Sequence, residues 1–150
     1  MKDGKRKVGP SNHSVHFSFL RLVRRAEPLM VEGGACLTMS FYGAEKVVST
    51  YNMMGPVKAA LEAATRELAS ELGPKNITVN TLSPGTMATR AASGLADFEE
   101  MMAESVARSP LRRLATIDDV GAAAVFYASD RARNITGTNL HIDAGFHIMA

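Results

Sequence analysis

Residues 35–82, ACLTMSFYGAEKVVSTYNMMGPVKAALEAATRELASELGPKNITVNTL, decide the fold of this chain. They open with a short apolar run (35–40) and close with a second, β-branched run (76–82), each with the length and composition of a buried strand. Apolar residues recur between them at helical spacing until Gly73 and Pro74 end the pattern: Val57, Leu61, Ala64, Leu68 and Leu72. A strand, a helix and a strand in this order predict two parallel strands joined by a crossover helix.

The flanking sequence continues the same alternation. Helical spacing predicts a helix over about 15–31, ended by the glycine pair at 33–34. Downstream, residues 95–108 predict a short helix, Thr116 caps a third long helix, and residues 138–143 predict a third strand. We therefore expect an α/β fold: the carboxyl-terminal part of a doubly wound parallel (Rossmann-type) sheet, with about three strands and crossover helices.

A complete sheet of this kind has more strands and carries G-x-G-x-x-G after its first one. The sequence has no such glycine pattern, so we expect it to lie upstream of this chain. The expected organisation is an unstructured start at 1–13 and the carboxyl-terminal half of a dinucleotide-binding reductase domain at 14–150.

Composition limits the classes of function. The 150 residues are 46% hydrophobic and 21% charged, as in globular domains, and the net charge of +2 is too small to indicate a nucleic-acid partner. No apolar stretch approaches the ~18 residues of a membrane span. The single cysteine, Cys36, leaves no disulfide within the chain and fits a reducing compartment, so we expect a cytoplasmic location.

Two tyrosine–lysine pairs suggest chemistry, since a lysine beside a tyrosine can lower the pKa of that proton donor. Tyr42 and Lys46 form Y-x3-K on the loop after the first strand, whereas Tyr51 and Lys58 form Y-x6-K at the mouth of the long helix. Seven helical positions turn about 700°, which returns nearly to the same face. This favours Tyr51 and Lys58 as the working pair, although such a spacing also occurs by chance.

The context of the second pair is more specific. The strand leading into GAE (43–45), the YN-M-G-K-LE helix start, GP-N-I-VN, the PG…T loop, ASG and the final DAGFHIM resemble the enoyl-acyl-carrier-protein reductases of bacterial fatty-acid synthesis. These form a divergent branch of the short-chain dehydrogenase/reductase superfamily, and the resemblance runs from about residue 18 to residue 150. The wider superfamily usually has Y-x3-K, whereas this branch has Y-x6-K; the fourth residue after Tyr51 is Gly55, not lysine.

The resemblance implies NADH-dependent reduction of a trans-2-enoyl thioester on acyl carrier protein, by a homotetramer. Tyr51 would donate a hydrogen bond to the enolate oxygen, and Lys58 would bind the nicotinamide ribose. Phe41 or Tyr42 would supply a second aromatic ring, and which of them faces the substrate stays open. The alternatives are a truncated, inactive paralogue that keeps its oligomer surfaces, or another short-chain reductase; we expect the chain alone to be inactive.

The resemblance also assigns two downstream segments. In the loop SPGTMATR, Gly85 would allow close backbone approach, Met87 would offer backbone hydrogen bonds and Thr89 a hydroxyl to the nicotinamide end of NADH, the only end this chain would hold. A flap would line the acyl channel with Ala91, Leu95, Phe98, Met101 and Met102, which could equally be core residues. The four histidines show no metal-ligand spacing, so no metal is expected.

Overall fold

The computed structural model describes residues 14–48, 51–88 and 98–149. The prediction of an unstructured start at 1–13 lies outside them. The helices and strands, in chain order, are α1 (Ser14–Ala26), β1 (Gly34–Met39), α2 (Met54–Leu72), β2 (Ile77–Pro84), α3 (Phe98–Arg108), α4 (Ile117–Tyr127) and β3 (Asn139–Ile142). Short 3-10 turns follow several of them, including Tyr42–Ala44 after β1 and Phe146–Ile148 after β3.

The three strands form one parallel sheet in the order β1-β2-β3. Gly34 pairs with Ile77 at one end of the first ladder, and Thr81 pairs with Asn139 in the second. The predicted α/β fold with parallel strands and crossover helices is therefore confirmed. Because the strands are parallel, their carboxyl ends lie together at one edge of the sheet.

The core forms around β2, which is buried at every position except the half-buried Thr78. Burial on both faces of a central strand requires cover on both sides, which explains its continuous β-branched and apolar run. A single apolar cluster joins α1, α2 and β2, and its buried members are Phe19, Val23, Leu61, Ala69, Leu72, Ile77 and Val79. The helical spacing read in α2 thus marks a face that packs on the sheet.

The first helix is shorter than predicted. Its α-helical part ends at Ala26, and a 3-10 turn over Glu27–Leu29 follows, with Pro28 in its first positions. Proline lacks the amide hydrogen that an α-helix interior needs, and it disfavours helical geometry in the preceding residue. The apolar spacing continues past this point, so periodicity alone overestimates the helix.

The predicted cap of α4 is confirmed. Thr116 accepts a hydrogen bond from the Asp119 amide at 3.2 Å, and the Asp119 carboxylate accepts one from the Thr116 amide at 2.8 Å. This reciprocal capping box satisfies amides that the first helical turn leaves unpaired. Among the helices described, none has the combined length and apolarity needed to cross a bilayer.

Candidate active site

Tyr51 and Lys58 both contact the carboxyl end of β1. The Lys58 ammonium donates a hydrogen bond to the carbonyl of Met39, the last residue of β1, at 2.7 Å. The Tyr51 ring packs on that of Phe41, two residues further on, with 4.8 Å between the centroids. The favoured pair therefore gathers at the edge of the sheet where ligands bind in open α/β folds.

The prediction that Tyr51 and Lys58 project from the same face of one helix is wrong, because Tyr51 is not part of the helix. The helix α2 begins at Met54, and Tyr51 lies in the preceding turn, where Asn52 has a positive φ of 51°. Pro56 suits the first turn of a helix, where no amide hydrogen is required, and it helps to place the start here. Tyr51 meets the end of β1 through packing of this turn, not through a shared helical face.

Two glycines make that packing possible. A Cβ atom on Gly55 would lie 2.7 Å from the Gly43 carbonyl oxygen, and a Cβ atom on Gly43 would lie 2.8 Å from a carbon of the Tyr51 ring. Real Cβ atoms do not approach so closely, so α2 can lie this near the 3-10 turn after β1 only with glycine at position 55, and a side chain at position 43 would displace the Tyr51 ring. Gly43 and Gly55 together leave the space in which the Tyr51 ring packs.

Electrostatics also differ from the expectation of a tyrosine acidified by its lysine. Burial raises the pKa of the Tyr51 hydroxyl above its usual range, so that expectation is wrong here. Burial lowers the pKa of Lys58, while the nearby Glu62 carboxylate raises it. A tyrosine with a raised pKa keeps its proton at neutral pH and can serve as a hydrogen-bond donor.

The other pair has different partners. The Tyr42 ring meets the edge of Phe146, with 5.2 Å between centroids, and Lys46 donates a hydrogen bond to the Met149 carbonyl at 3.2 Å. Burial raises the pKa of Tyr42, with a smaller opposing effect of Arg108. Tyr42 and Lys46 thus bind the segment after β3 to the loop after β1. These contacts give the Y-x3-K pair a structural explanation.

The predicted cofactor loop starts where β2 ends. Gly85 donates its amide hydrogen to the Ile142 carbonyl at 3.0 Å, and a Cβ atom on Gly85 would lie 2.8 Å from the Cβ of Asp143. Contact with the segment after β3 therefore already requires a glycine, and approach to a ligand stays a prediction. Met87 is half-buried, and Thr89 lies outside the described residues.

The predicted flap is described in part. Phe98 and Met101 are half-buried on α3, whereas Ala91 and Leu95 lie outside the described residues. The Ser105 hydroxyl, which sequence reasoning did not single out, donates to that of Thr86 at 2.9 Å and ties α3 to the cofactor loop. An open cleft of about 440 Å³ adjoins Tyr51, lined by residues 43–48 and by the first turns of α2.

Comparisons with known proteins identify the family of this chain. The family model described as "Enoyl-(Acyl carrier protein) reductase" matches residues 12–147. This chain belongs to that family. The NADH-dependent enoyl-acyl-carrier-protein reductase FabI of Bacillus subtilis is 45% identical over 134 residues, which are 89% of this chain and 52% of that protein. FabI of Escherichia coli is 42% identical, with 89% and 51% covered.

Solved structures of the reductase family superpose closely. The Bacillus cereus enoyl-acyl-carrier-protein reductase, crystallised with NADP+ and an indole naphthyridinone, gives a TM-score of 0.87 at 46% identity, covering 89% of this chain and 52% of its own. The Anaplasma phagocytophilum enzyme in complex with NAD gives 0.86 at 44% identity, covering 97% and 55%. The chain spans about half the length of the curated relatives it matches.

A histidine cluster in this reductase-family chain was missed by sequence reasoning. Potential ligand atoms of His141, Asp143 and His147 lie within 4.8 Å of one another, so two of the histidines do come together, while the absence of a metal stays a prediction. Gly145 has a positive φ of 85°, which turns the chain back and brings residue 147 beside residue 143. The Asp143 carboxylate accepts hydrogen bonds from the His147 ring and from the amides of Gly145 and His147. These bonds close the turn from Asp143 to His147, and the His141 ring stacks on that of His147 with 3.8 Å between the centroids.

A buried carboxylate was also missed. Glu62 accepts hydrogen bonds from the Ser40 hydroxyl and from the Asn139 amide, the latter at 3.2 Å. It lies on the face of α2 that also carries Thr65 and Ala69, which a helical spacing of three and four residues would have revealed. The apolar residues of α2 were read as its buried face, so a charged one among them was overlooked.

Proposed function

We propose that this chain forms part of an NADH-dependent enzyme that reduces trans-2-enoyl thioesters carried by acyl carrier protein. The observation that carries the proposal is the meeting of Tyr51 and Lys58, spaced as Y-x6-K, at the carboxyl end of β1 in a member of this family. The Bacillus subtilis and Escherichia coli relatives bear the name of that NADH-dependent activity.

The Tyr51 hydroxyl serves as the hydrogen-bond donor of the reaction. When bound, the nicotinamide cofactor supplies the hydride that adds to the β-carbon of the enoyl thioester. The electron pair of the double bond then moves toward the thioester oxygen, and Tyr51 stabilises the enolate charge by donating to that oxygen. Burial raises the pKa of Tyr51, so the donor proton is in place at neutral pH. The α-carbon then takes a proton from solvent, which completes the reduction.

The Lys58 ammonium fits the nicotinamide end of the cofactor. An ammonium group has three donors, and the Met39 carbonyl takes one of them. The half-buried position leaves the group able to donate to ribose hydroxyls beside the strand end. Gly85, Met87 and Thr89 complete the proposed cofactor site, which holds the nicotinamide end alone.

The acyl chain of the substrate is assigned to the flap residues, and either Phe41 or Tyr42 supplies the second aromatic ring of the site. Phe98 and Met101 are half-buried there, as side chains lining a channel need to be, and Ala91 and Leu95 belong to the same proposal. Methionine and phenylalanine give an adaptable apolar wall suited to an alkyl chain.

The proposal includes a homo-oligomer. Leu29, Ile117 and Val125 expose 81%, 68% and 71% of their surface, and this apolar surface is available to a second copy of the chain. Within the described residues, β1 has a strand on one side only, and an open edge favours association. A cytoplasmic location stays a prediction from the single cysteine.

A chimera tests the function. This chain would replace the matching segment of Bacillus subtilis FabI, and NADH oxidation would be followed with a trans-2-enoyl-acyl-carrier-protein substrate. We expect steady NADH consumption that depends on the enoyl substrate, with unmodified FabI as positive control. A chimera that folds and binds NADH but reduces nothing would identify an inactive paralogue. Activity on a 3-ketoacyl substrate instead would identify another short-chain reductase.

A further inference from the structure

Glu62 joins three parts of the site. It lies one helical turn beyond Lys58 on α2 and exposes only 8% of its surface. The same carboxylate oxygen accepts two hydrogen bonds, one from the hydroxyl of Ser40, directly after β1, and one from the side-chain amide of Asn139 at the start of β3. Burial raises the pKa of the Glu62 carboxyl above its usual range, and the Ser40 hydrogen bond opposes that rise, because two donors that converge on one oxygen suit an ionised acceptor. The carboxylate thus links α2 to both outer strands of the sheet.

The link to Lys58 runs through one peptide unit. The Ser40 amide donates to the Leu82 carbonyl of β2 at 2.7 Å, while the Met39 carbonyl of the same unit accepts from Lys58 at 2.7 Å. In a trans peptide the N–H and C=O groups point in opposite directions. Any rotation of this unit would therefore break both bonds, and the Ser40 side chain, held by Glu62, opposes that rotation.

The charge of Glu62 also acts on Lys58. Burial lowers the pKa of Lys58, and the Glu62 carboxylate opposes this by raising it. The charged and titratable groups around Glu62 are Glu45, Arg66 and His141, besides Lys58 itself. Glu67 lies five residues after Glu62 on the same helix, is therefore further from Lys58, and is exposed. It offers a matched carboxylate for a control substitution.

We propose that Glu62 is a positioning residue for Lys58: it holds Ser40 so that the Met39 carbonyl stays turned toward the ammonium group, and it places a carboxylate one helical turn from Lys58. The inference rests on the proposed function for the role of Lys58 toward the cofactor. The hydrogen bonds that connect Glu62 to Lys58 through Ser40 and Met39 exist without cofactor or substrate and can be measured without either.

Nuclear magnetic resonance of the full chain tests the proposal. Two signals are followed: the titration of the Lys58 side chain and the carbonyl carbon resonance of Met39, with Lys58→Met defining the resonance when the bond is absent. In Glu62→Gln, which keeps a hydrogen-bond acceptor but removes the charge, we expect the Lys58 titration midpoint to fall, because the charge that raises the pKa of Lys58 is gone. We expect the Met39 resonance to stay at its wild-type position. Glu67→Gln should change neither signal.

Glu62→Ala removes the acceptor as well, and its Met39 resonance should move to that of Lys58→Met. The proposal is overturned if the Lys58 midpoint in Glu62→Gln equals that of the wild type. It is also overturned if a folded Glu62→Ala keeps the wild-type Met39 resonance; if that variant does not fold, Glu62→Gln decides. A silent chimera with these shifts intact would refute the reductase activity alone, and an active chimera without them would refute only the positioning role.

Discussion

Replacement of Gly55 by alanine tests the close contact that seats Tyr51. The new Cβ would lie 2.7 Å from the backbone oxygen of Gly43, inside the distance that real Cβ atoms keep. Because the obstacle is backbone, it cannot rotate away as a side chain would. Either the start of α2 or the turn after β1 must shift, and the Tyr51 ring, which contacts Gly43, must shift with it.

The expected magnitude is the balance of two terms. Alanine is favoured over glycine within a helix by up to about 1 kcal/mol. Overpacking of a tight contact costs about 1–3 kcal/mol. With the full propensity gain subtracted, we expect Gly55→Ala to lower the free energy of unfolding by roughly 0–2 kcal/mol.

Gly121→Ala is the matched control, because Gly121 is also helical, in α4, and its new Cβ would meet no atom within 4 Å. This substitution should raise the free energy of unfolding by about 0.5–1 kcal/mol. Urea unfolding followed by circular dichroism measures both changes, provided that the denaturant slopes agree. A Gly55→Ala variant as stable as Gly121→Ala would refute the contact as the reason for glycine.

The remaining predictions concern the cap, the chemistry, the assembly and the cofactor. Thr116→Ala should cost about 1 kcal/mol of unfolding free energy by urea titration. Hydrogen bonds from Thr116 lower the pKa of Asp119 in the folded state. The ionised carboxylate therefore stabilises the fold above its unfolded pKa, and this stability is lost as pH falls through the lower folded pKa. The stability of Asp119→Asn should lack this part of the pH dependence when it is measured by acid unfolding. In the active chimera, Tyr51→Phe should reduce turnover by ~10²–10³ and Lys58→Ala should also raise the KM for NADH, while Lys46→Ala should do little; the reverse order for the lysines would favour Y-x3-K. Light scattering should show a dimer or larger species, and a monomer would contradict the proposed association. Calorimetry should give a Kd for NADH weaker than ~1 mM for the chain alone, and micromolar binding would contradict a site limited to the nicotinamide end.

The strands and long helices were predictable because each carries its signal locally. The run around Val79 is β-branched and bounded by turn residues, and the stripe through Leu61 keeps helical spacing over α2. Thr116 and Asp119 form a cap whose partners are three residues apart. Local signals of this kind do not depend on how distant segments pack.

The site was predictable only in part, since its geometry comes from contacts between distant segments. Tyr51 and Lys58 do meet at one end of the sheet, but through a turn that periodicity treats as helix. The clearance between Gly43 and Gly55 and the bond from Asn139 to Glu62 appear only when α2 lies against the ends of β1 and β3. Glycine and glutamate give no sign in a sequence of which distant residue they will contact.

The central position of β2 has a consequence for how the chain folds. Gly34 pairs with Ile77, and Thr81 pairs with Asn139, so each ladder closes a loop of several dozen residues. The entropy of closing such loops is lost before the ladder bonds form, which makes folding slow for the size of the chain. During synthesis from the amino end, β1 and α2 leave the ribosome before β2. Until β3 is synthesised, the edge of β2 that pairs with β3 remains uncovered. Over that interval its apolar run is open to pairing with another chain, so this is the stage at which a chaperone would contribute most to the yield of native protein.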